Sequence, residues 1–226
     1  MRRRVVVFAN SQGRDLGTIM GEIQAELGGM SLPPGYAIAY EGQFQSRQDA
    51  TRLIGLLALV SLGAIFALLH AHFRSSVLAL IIMANIPMAL VGSVVALWLS
   101  GLPLSVAGMV GFVTLAGIAS RNGIMKITHY LHLMRHEGEA FGSAMIIRGS
   151  LERLTPVLMT ALVAALALLP LVLAGGEPGK EILHPVAVVI FGGLMSSTLL
   201  DTLVTPVVVL LIGRKAFSQP ETEVRI

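Results

Sequence analysis

The sequence predicts an all-α membrane bundle of about five transmembrane helices, preceded by a short α/β fragment. Composition is the first reason: 54% of the 226 residues are hydrophobic and 13% are charged, whereas a soluble domain carries about 25% charged residues. The second reason is a series of long uncharged stretches after residue 52, each close to the ~20 residues that cross a bilayer. Because five such segments in a soluble protein would leave no polar shell, we set that alternative aside.

Residues 1–52 have the mixed pattern of the α/β fragment. Val5 to Ala9 is a short β-branched run, typical of a buried strand. Apolar residues then recur at helical spacing from Leu16 to Leu27, before two glycines that end the helix. Tyr36 to Tyr40 is a candidate second strand. Because this β-α-β stretch is too short to bury a core by itself, we expect it to belong to a larger domain.

The predicted bundle covers residues 53–213, and residues 214–226 are expected to form a cytoplasmic tail. Its spans are expected near 53–70, 76–99, 102–127, 155–174 and 185–212. Residues 128–153 are amphipathic and too polar to cross a membrane. We therefore expect this segment to lie along the cytoplasmic surface as a loop with one or two helices.

The orientation of the predicted bundle follows from the basic residues of its loops. One set of loops carries nearly all of them: Arg74, Lys126, Arg135, Arg148, Arg153, Arg214 and Lys215. The opposite loops carry Lys180 alone. The positive-inside rule places the first set in the cytoplasm, so residues 1–52 are expected on the outer, periplasmic side.

Polar side chains inside the predicted spans are the candidate functional residues, because each charge costs roughly 2.5–3.5 kcal/mol to insert into hydrocarbon. Arg121 lies deep in the third span beside Asn122, and Asp201 lies in the fifth. Arg153 precedes the fourth span, with Thr160 on the same helical face. We predict that these groups line a proton or ion path in which a carboxylate alternates between paired and protonated states. A structural ion pair, or snorkelling of Arg121 to the interface, is the alternative.

Other types of site receive little support from the sequence. His129, His132 and His136 share a helical face and are weak candidates for a divalent metal site, but a solvated face beside lipid headgroups is favoured. The absence of cysteine excludes thiolate sites and disulfides. No nucleophile–base pair or nucleotide-binding motif indicates an enzyme or a cofactor. The basic residues are scattered, which argues against nucleic acid as a partner.

Several motifs, in order along nearly the whole chain, resemble the heavy-metal efflux subfamily of the resistance–nodulation–division (RND) permeases. Leu32–Tyr36 resembles the end of a periplasmic porter region of the family. Ile86–Gly92, in the second span predicted here, resembles a span that follows that region in the family. Arg121–Ile124 and Arg153–Thr160 resemble the stretches that carry the basic and hydroxyl members of the proton relay. Gly192–Ser197 resembles the last span.

The resemblance implies a proton-driven permease of the bacterial inner membrane that exports heavy-metal cations. It also implies a homotrimer embedded in lipid, which works with a periplasmic adaptor and an outer-membrane channel. Residues 1–52 would be a fragment of a periplasmic porter domain, and the five spans would be the last five of twelve. The paired carboxylates of the family lie on a span that is absent here. We therefore expect a truncated or split permease without transport activity alone.

Two alternatives to metal export remain open. Arg121 stands where metal exporters of the family often have an uncharged residue and drug exporters often have lysine, so a multidrug exporter is the first alternative. A non-transporting remnant is the second alternative, because Arg121 and Arg153 lack the family's carboxylate partners in this chain. Asp201 matches no relay position of the family, and its role is left open.

Overall fold

The computed structural model describes residues 5–7, 16–30, 33, 38, 40, 43–177 and 179–217. Eight helices occur in this part of the chain: α1 Leu16–Gly28, α2 Gln43–Phe73, α3 Ser76–Met83, α4 Asn85–Leu99, α5 Val106–His136, α6 Ser143–Leu173, α7 Leu183–Ile212 and α8 Arg214–Phe217. The described residues contain no strand. The two predicted strands, at 5–9 and 36–40, lie mostly outside the described residues, so the α/β character of the fragment is not established.

The chain divides into two compact units, residues 1–53 and residues 54–226. The boundary falls inside α2, close to the residue where the sequence becomes continuously apolar. In the first unit, α1 lies where the apolar spacing predicts a helix, and most of its described side chains are exposed. The second unit contains the membrane helices and all of the interactions described below.

Four segments in the described part of the chain are long and apolar enough to cross a membrane: Gln48–Phe73, Ser76–Leu99, Ser143–Leu173 and Leu183–Ile212. They correspond to four of the about five predicted spans. The remaining predicted span is α5, which is also 31 residues long but carries Arg121 and Lys126 in its middle. Those charges lower its mean hydropathy. Lys126 is buried in the bundle, whereas Arg121 is exposed.

The second span is broken into α3 and α4 at Ala84. Ser75 caps α3 by accepting a hydrogen bond from the backbone N–H of Leu78 at 3.4 Å. Pro87 lies in the first turn of α4, where it has no N–H to donate to the last turn of α3, and its ring disfavours a continuous helix. The break places Asn85, which is 1% exposed, inside the bundle at the start of a helix.

Helices α4 and α7 pack through small residues and share two hydrogen bonds. A Cβ added to Gly92 would overlap the Ser196 side chain, so only glycine permits this approach. Ser93 Oγ donates to the carbonyl of Val189 at 2.7 Å, and Ser196 Oγ donates to the carbonyl of Met88 at 2.8 Å. Small residues that let backbones approach, with hydroxyls bonded across the contact, are typical of membrane helix packing.

Helices α5 and α6 extend further than the predicted spans. α5 continues to His136 and α6 begins at Ser143, so only residues 137–142 lie between them. The predicted surface segment 128–153 is thus mostly the adjoining ends of these two helices. A Cβ on Gly149 would come within 2.8 Å of the Tyr130 ring, which shows how closely the two ends pack. Their mutual burial explains why a polar stretch continues as helix.

Candidate functional site

The charged residues of α5 are divided between a buried and an exposed face. The buried face repeats at three- and four-residue spacing and comprises Gly108, Gly111, Leu115, Ala119, Gly123, Lys126, Tyr130 and Leu133. Arg121 lies on the exposed face with Thr114 and Gly117, as their spacing predicts. Because each residue turns a helix by about 100°, Lys126 lies about 140° around the axis from Arg121.

Lys126 and Asp201 form an ion pair between α5 and α7. The distance from Lys126 Nζ to Asp201 Oδ2 is 2.7 Å, and the two side chains are 5% and 1% exposed. Lys126 Nζ also donates to the backbone carbonyl of Asp201 at 2.8 Å. Charge pairs at this depth are tolerated only with good geometry and additional hydrogen bonds. The double contact with one residue supplies both.

A polar chain extends from Asp201 to the break in the second span. Thr205 Oγ1 lies 2.6 Å from Asp201 Oδ1 and 2.8 Å from Asn85 Oδ1. Ser197 and Thr198, one turn before Asp201, are buried as well. Asn85 Nδ2 and Ser197 Oγ are buried without a hydrogen-bond partner in the described part of the chain. The polar stripe predicted around Asp201 therefore does face the interior of the bundle.

A second polar cluster joins the C-terminal part of α5 to the N-terminal part of α6. His129 Nε2 lies 2.7 Å from Glu152 Oε2, and Arg153 Nη2 lies 3.5 Å from His129 Nδ1. These contacts fit a neutral imidazole that donates from Nε2 to the carboxylate and accepts from the guanidinium at Nδ1. Arg153 therefore contacts a ring nitrogen of His129 and not a carboxylate of the described residues.

Arg148 connects this cluster to the short segment between the helices. Its guanidinium contacts Glu137 at 2.7 Å and Glu152 at 2.8 Å, and it also contacts Glu139. The four side chains are partly exposed. Salt and water therefore screen these interactions, and they mark the polar boundary of the bundle.

A small cavity lies between the buried ion pair and this second polar cluster. Its lining residues come from α5, α6 and α7: Lys126, Ser150, Arg153, Leu154, Val157 and Thr202. Ser150 Oγ donates to the carbonyl of Ile146 at 2.7 Å, so Tyr130 donates its own proton across 2.6 Å to Ser150 Oγ. Burial raises the pKa of Tyr130 to about 12, and this phenol therefore remains a fixed donor.

The structure brings only some of the predicted site residues together. Arg153 lines the cavity together with Lys126, and Lys126 contacts Asp201. Arg121 faces outwards, beside the half-buried Asn122, and no carboxylate of the described residues pairs with it. Thr160 Oγ1 donates to the carbonyl of Val157 within its own helix at 2.9 Å, so the structure joins Thr160 to none of the other candidates.

The three histidines of α5 do not converge on a metal site. His132 and His136 stack with ring centroids 4.6 Å apart, while His129 is directed to Glu152. Among the described residues, no group of three or more His, Cys, Asp or Glu side chains could hold a metal ion.

Lys126 is the site residue that sequence reasoning missed. It was counted with the cytoplasmic loops because it lies near the end of the third predicted span. A signal was present in the sequence: Lys126 follows Gly123 by three residues and Ala119 by seven. It is therefore in phase with the small residues that mark the packed face, whereas Arg121 is not.

Similarity to known proteins agrees with this arrangement of helices. Residues 1–213 match the model of the AcrB/AcrD/AcrF family. Cobalt-zinc-cadmium resistance protein CzcA of Cupriavidus metallidurans is 40% identical over 215 residues, which are 95% of this chain and 20% of the relative. Multidrug resistance protein MdtC of Escherichia coli is 32% identical over 209 residues, which are 92% of this chain and 20% of the relative. The chain spans about a fifth of the length of these relatives.

The fold itself is also found in a solved structure. The crystal structure of a heavy metal efflux pump, crystal form II, superposes with a TM-score of 0.78 at 36% sequence identity. The match covers 91% of this chain and 20% of that pump. At this identity the likeness extends beyond fold to sequence.

Proposed function

The chain belongs to the AcrB/AcrD/AcrF family, which confirms its resemblance to the RND permeases, and on that premise we propose that it forms part of the membrane domain of a proton-driven heavy-metal exporter. The chain accounts for about a fifth of the length of its relatives. Transport is therefore a property of the whole permease, and the chain alone does not transport. This permease resides in the bacterial inner membrane, as a homotrimer joined to a periplasmic adaptor and an outer-membrane channel.

The similarity to metal resistance proteins favours a metal cation as the substrate. CzcA is 40% identical to the chain, and the solved heavy metal efflux pump is 36% identical. The multidrug resistance protein MdtC is 32% identical. A multidrug exporter is the second candidate function, because a basic residue at position 121 is a feature that the family resemblance links to drug exporters.

The outward-facing Arg121 is the observation that carries the proton-coupling proposal. A guanidinium that faces hydrocarbon without a counter-ion is costly. In the described part of the chain no carboxylate pairs with it. We expect a carboxylate from another helix of the permease to cover this face, and to alternate between pairing with Arg121 and holding a proton. Asn122 lies beside this contact and would orient it.

The remaining relay residues are proposed on α6 and α7. Arg153 and Thr160 share one face of α6, and the resemblance gives them the basic and hydroxyl roles of a relay. Arg153 borders the cavity that leads to Lys126, and Lys126 contacts Asp201. Asp201 is thus a carboxylate that protons could reach from the cytoplasmic side.

A complementation experiment tests the proposed function. The chain is expressed in a metal-sensitive strain that lacks RND exporters, alone and together with the remaining part of a full-length metal exporter of the family. We expect resistance to cobalt, zinc and cadmium only in the combined strain, and its loss in Arg121→Ala. Arg135→Ala is the matched control, because Arg135 lies on the same helix beyond the predicted span and is exposed.

Three outcomes would contradict parts of this proposal. Metal resistance from the chain alone would show that the rest of a permease is unnecessary. Full resistance in Arg121→Ala would remove the proton-coupling role of that residue. Protection against organic compounds but not against metals would favour the multidrug candidate.

A further inference from the structure

We propose that Asn85, Thr205, Asp201 and Lys126 form a proton-binding switch that acts on the break between α3 and α4. Its role in export rests on the proposed function, but proton binding itself depends only on the geometry of this chain. The switch lies on the face of α5 opposite Arg121, and it includes Lys126, to which the family resemblance assigns no role.

The hydrogen bonds around Thr205 require one proton more than the hydroxyl has. Thr205 Oγ1 is within donating distance of two oxygens, Asp201 Oδ1 at 2.6 Å and Asn85 Oδ1 at 2.8 Å. A threonine hydroxyl carries one proton and donates one such bond. One of the two contacts is therefore satisfied only if another group supplies a proton to it.

Two arrangements of protons and amide resolve the conflict. When Asp201 is ionised, Thr205 donates to Asp201 Oδ1, and Asn85 turns its amide so that Nδ2 donates to Thr205 Oγ1. When Asp201 takes up a proton on Oδ1, it donates that proton to Thr205, and Thr205 donates to Asn85 Oδ1. In both states Lys126 Nζ keeps its bonds to Asp201 Oδ2 and the backbone carbonyl. The proton comes from cytoplasmic water, and Lys126 stays an ammonium, so the net charge of the pair rises by one.

The amide of Asn85 has its oxygen towards Thr205, which is the arrangement of the second state, and this leaves its nitrogen unpaired in the described part of the chain. Asn85 is 1% exposed, and its Nδ2 has no hydrogen-bond partner among the described residues. An orphaned buried donor costs roughly 1–3 kcal/mol. Turning the amide gives Nδ2 a partner in Thr205 and directs Oδ1 to the space beside Gly123, where a Cβ would lie 2.7 Å from the present nitrogen. Glycine at this position leaves the amide room to turn.

The position of Asn85 converts a local proton movement into a helix movement. Asn85 is the first residue of α4, next to Ala84, where the second span is interrupted. Ala84 keeps helical backbone angles, but the helical hydrogen bonds are interrupted before Pro87. A change in the side-chain bond at Asn85 can therefore alter the angle between α3 and α4 at low cost. The other members of the hydrogen-bonded group, Asp201 and Thr205, lie on α7, and Asp201 contacts Lys126 of α5. The switch therefore couples three spans.

The titratable groups around Asp201 are few, which simplifies its pH response. Lys126 and Tyr130 face it from α5, and Arg153 faces it across the cavity from α6. α3 and α4 contain no ionisable side chain between residues 76 and 99. Lys126 pairs directly with the carboxylate, and Tyr130 is held as a donor to Ser150. We assign the exchanged proton to Asp201, because its Oδ1 is the oxygen that meets the Thr205 hydroxyl.

Infrared spectroscopy of the whole chain in lipid nanodiscs tests proton binding. We expect a pH-dependent carboxylic-acid C=O band that is lost in Asp201→Asn, which keeps the shape of the side chain without a titrating proton. In Lys126→Met the band should persist to higher pH, by about one unit or more, because the cation that favours the carboxylate is gone. The proposal is overturned if wild type lacks a band assignable to Asp201, or if Lys126→Met leaves the band unchanged.

Spin-label distances test the coupling to the helix break. The chain has no cysteine, so a pair of cysteines introduced at Leu80 and Val95, which are 58% and 46% exposed, reports the angle between α3 and α4 alone. We expect this distance to change with pH in the wild-type background and in Thr205→Ser, and to lose its pH dependence in Asp201→Asn and Thr205→Val. A pair at Leu56 and Leu68 on the unbroken α2 is the control.

Equal pH dependence in wild type and Asp201→Asn, or none in wild type, would overturn the coupling. These measurements need no transport, so their outcome is independent of the complementation test. A chain that fails to confer metal resistance while its infrared band behaves as expected would refute the proposed function and leave the switch in place.

Discussion

The two faces of α5 each carry one cation, and the two cations are neutralised in different ways. On the buried face, Lys126 is held by Asp201 at 2.7 Å within the same chain. On the outer face, Arg121 is exposed beside Thr114 and Gly117, and the described residues offer it no carboxylate. The cation of the buried face is thus neutralised when the chain itself folds. The cation of the outer face, on the proposed function, is neutralised by another part of the permease.

Because of this difference, the charge on the buried face affects the stability of the folded chain, and the charge on the outer face affects its contact with the rest of the permease. Removal of one partner from a buried pair leaves an uncompensated charge, which costs about 3–5 kcal/mol. An outward-facing charge without a partner leaves no uncompensated group behind when it is substituted, so its removal does not weaken the bundle of this chain. Stability measurements on variants of the two faces therefore distinguish the two roles of charge directly.

The largest expected effect comes from substitution of Lys126. We expect Lys126→Met to lower the free energy of unfolding in detergent micelles by about 3–5 kcal/mol, because Asp201 is left charged and unpaired. The double variant Lys126→Met with Asp201→Leu should recover most of that loss, since both charges are then replaced by apolar groups. Unfolding by a denaturing detergent, followed by circular dichroism, provides the measurement.

Arg121→Met is the matched control for this experiment, because it removes a cation from the same helix. Because an unpaired charge that faces hydrocarbon is costly, this variant should leave the unfolding free energy of the isolated chain unchanged or raise it. If Arg121→Met destabilises the chain as much as Lys126→Met does, the distinction between the two faces fails. Equal losses in the single and double variants would instead show that packing, and not the unpaired charge, accounts for the effect.

Glycines on the two faces give a smaller, purely steric contrast. A Cβ at Gly123 would lie 2.7 Å from Asn85 Nδ2 and 3.3 Å from the backbone of Ile82, so we expect Gly123→Ala to cost about 1–3 kcal/mol. A Cβ at Gly117 meets nothing within 4 Å, and Gly117→Ala should be neutral or slightly stabilising because alanine favours the helix. The same unfolding assay compares them, and similar losses at both sites would contradict the assignment of faces.

Helical spacing shows which residues share a face of α5, but not which face is buried. Thr114, Gly117 and Arg121 lie on one face because the period of a helix is fixed, and their exposure is seen only in the structure. The partner of Asp201 lies 75 residues away on a different helix. Since the order of spans does not state which helices are neighbours, pattern reasoning had no means of joining Lys126 to Asp201.

Hydropathy alone does not show that the helices expected in residues 128–153 are continuous with the neighbouring spans. In the structure they are the ends of α5 and α6. Tyr130 and Leu133 of α5 are fully buried there, because the ends of α5 and α6 cover each other. An average over a window of residues hides this one-sided burial, and phase along the helix would have revealed it.

The smallest expected effect comes from the exposed cluster where the end of α5 meets the start of α6. Arg148 contacts Glu137, Glu139 and Glu152, but these groups are in reach of solvent, and exposed pairs contribute little. We expect Arg148→Ala to lower the melting temperature slightly at low salt and not at all in molar salt, where the Debye length is about 3 Å. Arg135→Ala, which removes an exposed arginine of α5, should change neither value. If the melting temperature of Arg148→Ala stays lowered in molar salt, the exposed pairs of Arg148 stabilise the chain without being screened. Burial would then not explain why Lys126 differs from the other cations of α5 and α6.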